Sequence, residues 1–209
     1  MPARKITKSA VANIFRFTSI NKSEPVIVES YNEYLACYHL EFSFMVDDYT
    51  AQPKKFRFKD DETGKQISYT PDFWVRLKNG QEYFIEVKDF EETQKDKFIK
   101  RWEFIQRKLR NMGFEIKLLT DRDLNRGNIP ENLKLLHRYL SRNEINEVQV
   151  KIAELIKKQP LTLIEICEQL KIKLLKAKSL ILNLVARKVL TFKIYEEITE
   201  NTLIWRCNE

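Results

Sequence analysis

The sequence predicts an α/β protein in two parts, a mixed β-sheet flanked by helices and then a small, mostly helical domain. Short runs in which apolar and polar residues alternate predict the strands, and segments with an apolar period of 3.6 residues predict the helices between them. From residue 143 onward the pattern changes to successive helical segments that end in two apolar runs. A chain of 209 residues is long enough to bury one large core and a smaller second one.

The first part begins with a basic arm, residues 1–29, whose last residues are extended. A helix is expected from Tyr31 to about Phe42, because apolar residues recur there at helical spacing. Ser30 is its predicted N-cap, and Glu33 would complete a capping box. The remaining expected elements are strands at 54–60, 66–77 and 81–88, a hairpin turn at 78–80, a helix at 93–112, a strand at 114–120 and short helices that close a domain spanning 30–142.

The second part, residues 143–209, predicts three helices and a terminal hairpin. The first helix ends before Pro160, and Thr162 with Glu165 forms a capping box for the second. A basic third helix is expected at about 173–188. This order predicts a winged helix, in which the third helix usually enters the major groove of DNA. A winged helix that docks another protein is the alternative interpretation.

Basic residues are concentrated in two acid-free blocks, within a net charge of +7. Residues 1–22 and 171–193 each lack any Asp or Glu. Such blocks favour a polyanion, because contacts with phosphates release condensed counterions. A solvated surface that keeps the protein soluble is the alternative. The predicted DNA-contacting residues are Arg4, Lys5, Lys8, Lys97, Lys100, Arg101, Lys173, Lys176, Lys178 and Lys188.

Membrane insertion and secretion are not expected. No apolar run approaches the roughly 18–20 residues that cross a bilayer, and the N-terminus lacks the apolar core of a signal peptide. The three cysteines are far apart and odd in number, which suits a reducing compartment. We therefore expect a bacterial cytoplasmic protein with no membrane partner.

The chemistry is expected where Asp72 precedes one strand and Glu86 and Lys88 end the next. Residues two apart in a strand share a face, so Glu86 and Lys88 point together and Val87 turns to the other side. The hairpin at 78–80 brings Asp72 beside them. Converging carboxylates are costly unless a cation compensates them. Mg²⁺ prefers such hard oxygen ligands, keeps several waters and can promote hydrolysis of a phosphodiester.

These residues resemble a known signature. Pro71-Asp72 with Glu86-Val87-Lys88 is similar to the PD-(D/E)xK motif of restriction-endonuclease-like nucleases. The segment from Ser30 to Tyr34, with Leu40-Glu41-Phe42, Gln52-Pro53 and the strand that ends in Leu118-Leu119-Thr120-Asp121, resembles TnsA, the endonuclease subunit of heteromeric cut-and-paste transposons. The compact length is similar to that of members carried by CRISPR-associated transposons.

The resemblance implies a role for each matching residue. It implies that Glu33, Asp72, Glu86 and Lys88 are catalytic. Glu33, Asp72, Glu86 and the backbone carbonyl of Val87 would hold Mg²⁺, for which Mn²⁺ can substitute. Gln52 would belong to the surroundings of this site, in contact with DNA or with the groups around the metal.

The resemblance also implies a reaction and partners. The protein would cleave the 5′, non-transferred strand at transposon ends in double-stranded DNA. It would act with a DDE-type, TnsB-like transposase and a TnsC-like AAA+ ATPase regulator. Two alternatives remain open, which are a stand-alone restriction or repair nuclease and a non-catalytic adaptor that binds DNA or a partner.

Overall fold

The computed structural model describes residues 13–61, 63–141 and 143–207, which form two compact units. The units are Met1–Leu124 and Asn125–Glu209. The unit boundary therefore lies earlier than the expected one at residue 142. The helix Ile129–Tyr139 belongs to the second unit, because its Asn132 side chain donates hydrogen bonds of 2.7 Å to two backbone carbonyls near the end of the chain.

The first unit is built on a four-stranded mixed sheet. Its strand order is β3-β6-β7-β8, with antiparallel pairing except between β7 and β8, which are parallel. The mixed sheet and its flanking helices fit the restriction-endonuclease-like fold expected from the sequence. The elements of this unit are β1 (Phe15–Phe17), β2 (Val26–Val28), α1 (Tyr31–Phe42), β3 (Val46–Ala51), β4 (Phe56–Lys59), β5 (Gln66–Tyr69), β6 (Phe73–Leu77), β7 (Glu82–Lys88), α2 (Phe90–Thr93), α3 (Asp96–Asn111), β8 (Ile116–Thr120) and α4 (Asp121–Leu124).

Both faces of the sheet are covered, which explains why β7 is apolar on both sides. Tyr49 and Phe73 lie on the face that packs against α1, where the Tyr49 hydroxyl donates a 2.8 Å hydrogen bond to Glu41. On the other face, Phe84 packs beneath the β4–β5 hairpin and α3, in a core that includes Phe56 and Leu109. Double coverage also keeps the polar end of β7 largely out of solvent.

The predicted basic arm, residues 1–29, contains a β-hairpin. Residues 15–28 form an antiparallel hairpin, β1–β2, in which Phe17 and Val28 are fully buried. The Phe17 ring contacts Tyr38 of α1 at 4.9 Å between ring centroids. These apolar contacts attach the hairpin to α1. Arg4, Lys5 and Lys8 lie outside the described residues.

Three further expectations about the first unit need correction. The expected strand 66–77 is two strands, since Pro71 cannot donate to a strand ladder. The expected helix 93–112 is interrupted after Thr93, and α3 begins at Asp96. Glu33 does not complete a capping box with Ser30, since its side chain accepts from the backbone N–H of Glu29 instead.

The second unit contains four helices and a three-stranded antiparallel sheet of order β10-β11-β9 within the described residues. The capping box of Thr162 and Glu165 is confirmed. Strand β9 was not expected, and β10 covers only two residues of the predicted run. The elements are α5 (Ile129–Tyr139), α6 (Glu147–Lys158), β9 (Leu161–Thr162), α7 (Leu163–Leu170), α8 (Leu174–Ala186), β10 (Leu190–Thr191) and β11 (Leu203–Arg206).

Substitutions on α3 test this packing. Leu109 is fully buried beneath the hairpin, whereas Ile99 on the same helix is 41% exposed. We expect Leu109→Ala to lower the free energy of unfolding by about 2–5 kcal/mol, because it leaves a cavity. Ile99→Ala should change it by about 0.5 kcal/mol or less. Urea denaturation measures both, and equal effects of the two substitutions would contradict the burial of this helix face.

Candidate active site

The register of the central sheet brings Asp72 beside the end of β7. Phe73 pairs with Ile85, so Asp72 lies opposite Glu86 one position further along. The Asp72 carboxylate accepts a 2.7 Å hydrogen bond from the backbone N–H of Val87. The aspartate side chain thus takes the N–H of Val87 just beyond the point where the pairing of β6 with β7 stops. The predicted convergence of Asp72 with β7 is therefore present.

Glu86 and Lys88 lie on one face of β7 and contact each other. The Lys88 ammonium is 3.2 Å from Glu86 Oε1, and the Tyr69 hydroxyl donates a 2.6 Å hydrogen bond to Glu86 Oε2. Glu86 is only 9% exposed, and Val87 is buried on the other face as expected. The two oxygens of Glu86 thus have different partners, one cationic and one neutral.

Glu33 approaches this cluster from the first turn of α1. Its side chain accepts hydrogen bonds from the Glu29 backbone N–H at 3.0 Å and from the Ser30 hydroxyl at 2.8 Å. The start of α1 is also tied to the end of β7, because Asn32 donates a 2.6 Å hydrogen bond to Asp89. Glu33 is buried and interacts electrostatically with Lys88.

The pKa values reflect the crowding of negative charge. Burial, together with the charges of Glu86 and Glu33, raises the pKa of Asp72 well above its ordinary value. Burial also raises the pKa of Glu33, against the opposing effect of its hydrogen bonds. Burial lowers the pKa of Lys88, but the surrounding carboxylates outweigh it and raise the value overall. One ammonium therefore does not relieve the repulsion among the acids.

Gln52 follows β3 and lies on the side of Asp72 away from Glu86. Its backbone N–H donates a 2.8 Å hydrogen bond to the Asp72 carbonyl. The residue is 6% exposed and has a positive φ of 44°, and its side-chain oxygen is buried without a hydrogen-bond partner. Gln52, Asp72 and Glu86 thus occupy one row across three adjacent strands.

Residues 44–121 match the family model described as TnsA-like endonuclease N terminal. The match covers less than half of the chain, and it includes Asp72, Glu86 and Lys88 but not Glu33. It supports a TnsA-like nuclease domain in the first unit. No curated protein sequence matches the chain.

Metal binding at the TnsA-like domain stays a prediction. Across the described residues, no group of three or more His, Cys, Asp and Glu side chains is arranged to hold a metal ion. The carboxylates of Glu33, Asp72 and Glu86 instead accept hydrogen bonds from the protein itself. Their chemistry nevertheless fits a hard divalent cation, since all three offer oxygen and their mutual repulsion favours a positive charge.

The predicted DNA-contacting lysines and arginines that the structure describes belong to both units. Lys97, Lys100 and Arg101 line one groove of about 530 Å³ between α3 and the β4–β5 hairpin. Lys173 caps α8, Lys176 and Lys178 lie on this helix, and Lys188 follows it. DNA contact by any of these residues stays a prediction.

Tyr69 is a site residue that the sequence did not reveal. The strand pattern places it among buried aromatic residues, where it pairs with Phe56 across the hairpin. Burial raises the pKa of Tyr69, and so does the charge of Glu86, so the hydroxyl keeps its proton and remains a donor. Alternation of apolar residues predicts that this ring is buried, but it gives no information about the partner of its hydroxyl.

Asp72→Asn tests the repulsion directly. The raised pKa means that folded protein retains a proton which the unfolded chain releases, so ionisation of Asp72 costs stability as pH rises towards that pKa. Asparagine can still accept from Val87 but carries no charge. We expect Tm of metal-free protein to rise by about 2–4 °C at pH 8.

At a pH below the ordinary carboxyl range, this gain should disappear, because the wild-type acid is then protonated in both states. Thermal unfolding in a chelator measures both conditions. A lower Tm for Asp72→Asn at pH 8 would show that the carboxylate charge stabilises the metal-free fold.

Proposed function

We propose that this protein is a Mg²⁺-dependent DNA endonuclease that cleaves the 5′, non-transferred strand at transposon ends. One observation carries the proposal: Asp72, Glu86 and Lys88 meet at the end of two paired strands inside a domain that matches TnsA-like endonucleases. Glu33 adds a third carboxylate from a helix.

Asp72, Glu86, Glu33 and the carbonyl of Val87 would hold the cation. Mg²⁺ bound there would activate a water molecule and stabilise the charge that develops on the phosphate. Entry of a cation would also remove the cost of the crowded carboxylates. Because the pKa of Asp72 is raised, binding of a cation would release a proton wherever Asp72 is protonated in the metal-free protein.

Lys88 has a different task from the acids. Its pKa is raised, so it stays a cation at neutral pH and can donate hydrogen bonds to a phosphate oxygen. Its ammonium is held by Glu86, which in turn is fixed by Tyr69. This chain of contacts restricts the positions that the ammonium can adopt relative to the scissile phosphate.

The groove beside α3 supports a DNA path that leads to the site. Its cations Lys97, Lys100 and Arg101 are exposed, and Arg101 is close enough to Tyr69 to influence its pKa. Tyr69 contacts Glu86, so the groove approaches the acidic cluster. The lining also includes the acidic residues Asp60, Asp61 and Glu103. Asp61 pairs with Arg107 and Lys108, so part of this negative charge is neutralised within the protein.

The second unit has the element order of a winged helix, and we propose that it is one. Helices α6, α7 and α8 precede β10 and β11, and β9 completes the sheet. The start of α8 presents exposed Lys173 and Lys176 around Leu175, which is 84% exposed. The lysines favour DNA, while the leucine favours contact with a protein.

The proposed partners are a TnsB-like transposase, which would cut and join the 3′ strand, and a TnsC-like AAA+ regulator. Partner binding is assigned to the second unit, where the exposed Leu175 supports it. No described helix is long and apolar enough to cross a membrane.

Cleavage of a transposon-end duplex, labelled at the 5′ strand, tests the proposed activity. With Mg²⁺ and a TnsB-like transposase, we expect cleavage of that strand. Asp72→Ala should reduce it by about 100-fold or more, because an essential ligand is lost. The control is Asp47→Ala, since Asp47 is exposed and pairs with Arg76 at the other end of β6.

Three results would contradict parts of this proposal. Equal cleavage by wild type and Asp72→Ala would exclude the assigned site. Efficient cleavage without the transposase would favour a stand-alone nuclease. Metal-independent DNA binding with no cleavage under any condition would favour an adaptor.

DNA binding by the groove is tested with the triple substitution Lys97→Ala, Lys100→Ala and Arg101→Ala. If each cation neutralises one phosphate, the slope of log K against log salt concentration should fall by about 3. Lys78→Ala, in the turn between β6 and β7, is the control and should leave the slope unchanged. Fluorescence anisotropy at several salt concentrations measures the slopes, and an unchanged slope for the triple variant would remove the groove from the DNA path.

A further inference from the structure

Gln52 has two unfavourable features in one residue. Its backbone adopts a φ of 44°, which L-residues other than Asn and Asp rarely adopt. Its side-chain oxygen is buried and accepts no hydrogen bond, although the residue is only 6% exposed. Each feature is energetically unfavourable for the folded protein.

Among the described residues, the other buried side-chain acceptors have hydrogen-bond partners, which makes Gln52 a specific exception. Gln149, buried to a similar degree in the second unit, accepts from the Asn146 N–H and donates to Asn183. Glu41 accepts from the Ile20 N–H and from Tyr49. A buried oxygen without a donor is explained when a ligand supplies the missing contact.

The location of Gln52 indicates the ligand. Its backbone is hydrogen-bonded to that of Asp72, and the sheet places it in the same row as Asp72 and Glu86. An amide oxygen is a hard ligand of the kind that Mg²⁺ and Ca²⁺ accept. It also carries no charge, so it adds a donor to a crowded acidic cluster without adding repulsion.

We propose that the side-chain oxygen of Gln52 is a further oxygen ligand of the divalent-cation site built on Asp72. This inference rests on the proposed function, because it requires that a cation binds there. The left-handed backbone at Gln52 keeps the chain turning at the end of β3, where the residue remains beside Asp72. The cation then supplies the partner that the buried oxygen lacks in the protein alone.

Calorimetric titration of the full-length protein with Mn²⁺ tests the proposal without relying on activity. Gln52→Leu removes the oxygen while it keeps similar bulk, and we expect it to weaken Mn²⁺ binding about tenfold or more. Gln52→Glu retains an oxygen and adds charge, so it should bind Mn²⁺ at least as tightly as wild type. Gln149→Leu is the control, and it should leave Mn²⁺ affinity unchanged.

Thermal unfolding in a chelator separates the ligand role from a packing role. As a ligand, Gln52 is not needed by the metal-free fold, so Gln52→Leu should keep Tm equal to wild type or raise it. Gln52→Glu should lower that Tm through added repulsion, even though it binds Mn²⁺ well. If Gln52 acted only by packing, the two substitutions would not change Tm and Mn²⁺ affinity in opposite directions.

The outcomes distinguish this inference from the proposed function. If the wild-type protein is folded, as judged by its Tm, but binds no Mn²⁺, the proposed metal site is wrong. If wild type binds Mn²⁺, Asp72→Asn does not, and Gln52→Leu binds as tightly as wild type, only the role of Gln52 is overturned.

Discussion

The crowding of three carboxylates around one lysine is the constraint on which the rest of the first unit depends. Asp72, Glu86 and Glu33 come from a strand start, a strand end and a helix, and the charges of all three influence Lys88. Burial raises the repulsion among them, since there is little water to screen it. A fold that keeps three carboxylates so close together must hold each of them in place with several other contacts.

Those contacts are visible on every side of the cluster. Strand pairing fixes Asp72 opposite Glu86, and the Val87 N–H donates a hydrogen bond that holds the Asp72 carboxylate in place. Tyr69 holds Glu86 from the hairpin, and Asn32 ties the start of α1 to Asp89. These bonds join three separate parts of the chain to β7 or to the residue that follows it. Unlike the groups of a surface ion pair, most of these groups are buried and their positions are fixed by backbone pairing, which supports the proposed cation site.

The sequence predicted the parts of this unit that follow from local pattern. Helix α1 and strand β7 were predicted because their apolar spacing is regular, and the turn at 78–80 made Asp72 and Lys88 neighbours. Strand β3 was missed, since its sequence VDDYTA lacks clear alternation and two of its residues are acidic. The β1–β2 hairpin was missed because each strand has only three residues, and its stability comes from packing on α1.

Within the candidate site, only the residues whose positions follow from motif spacing could be predicted from the sequence. Asp72, Glu86 and Lys88 stand on paired strands, so counting across one turn places them together. The roles of Tyr69 and Gln52 depend on contacts between elements distant in sequence. The grouping of α5 with the second unit also depends on such contacts, because α5 has an ordinary amphipathic pattern and the bonds of Asn132 join it to residues near 195.

A crystal structure of the protein grown with Mn²⁺ is the most direct test of the central claim, because anomalous scattering locates the ion without assumptions about its ligands. We expect a peak bounded by oxygens of Asp72 and Glu86, with the Gln52 side chain in contact. A peak elsewhere in the protein, or none at this cluster while Lys88 remains paired with Glu86, would contradict the assignment of a metal-dependent nuclease site.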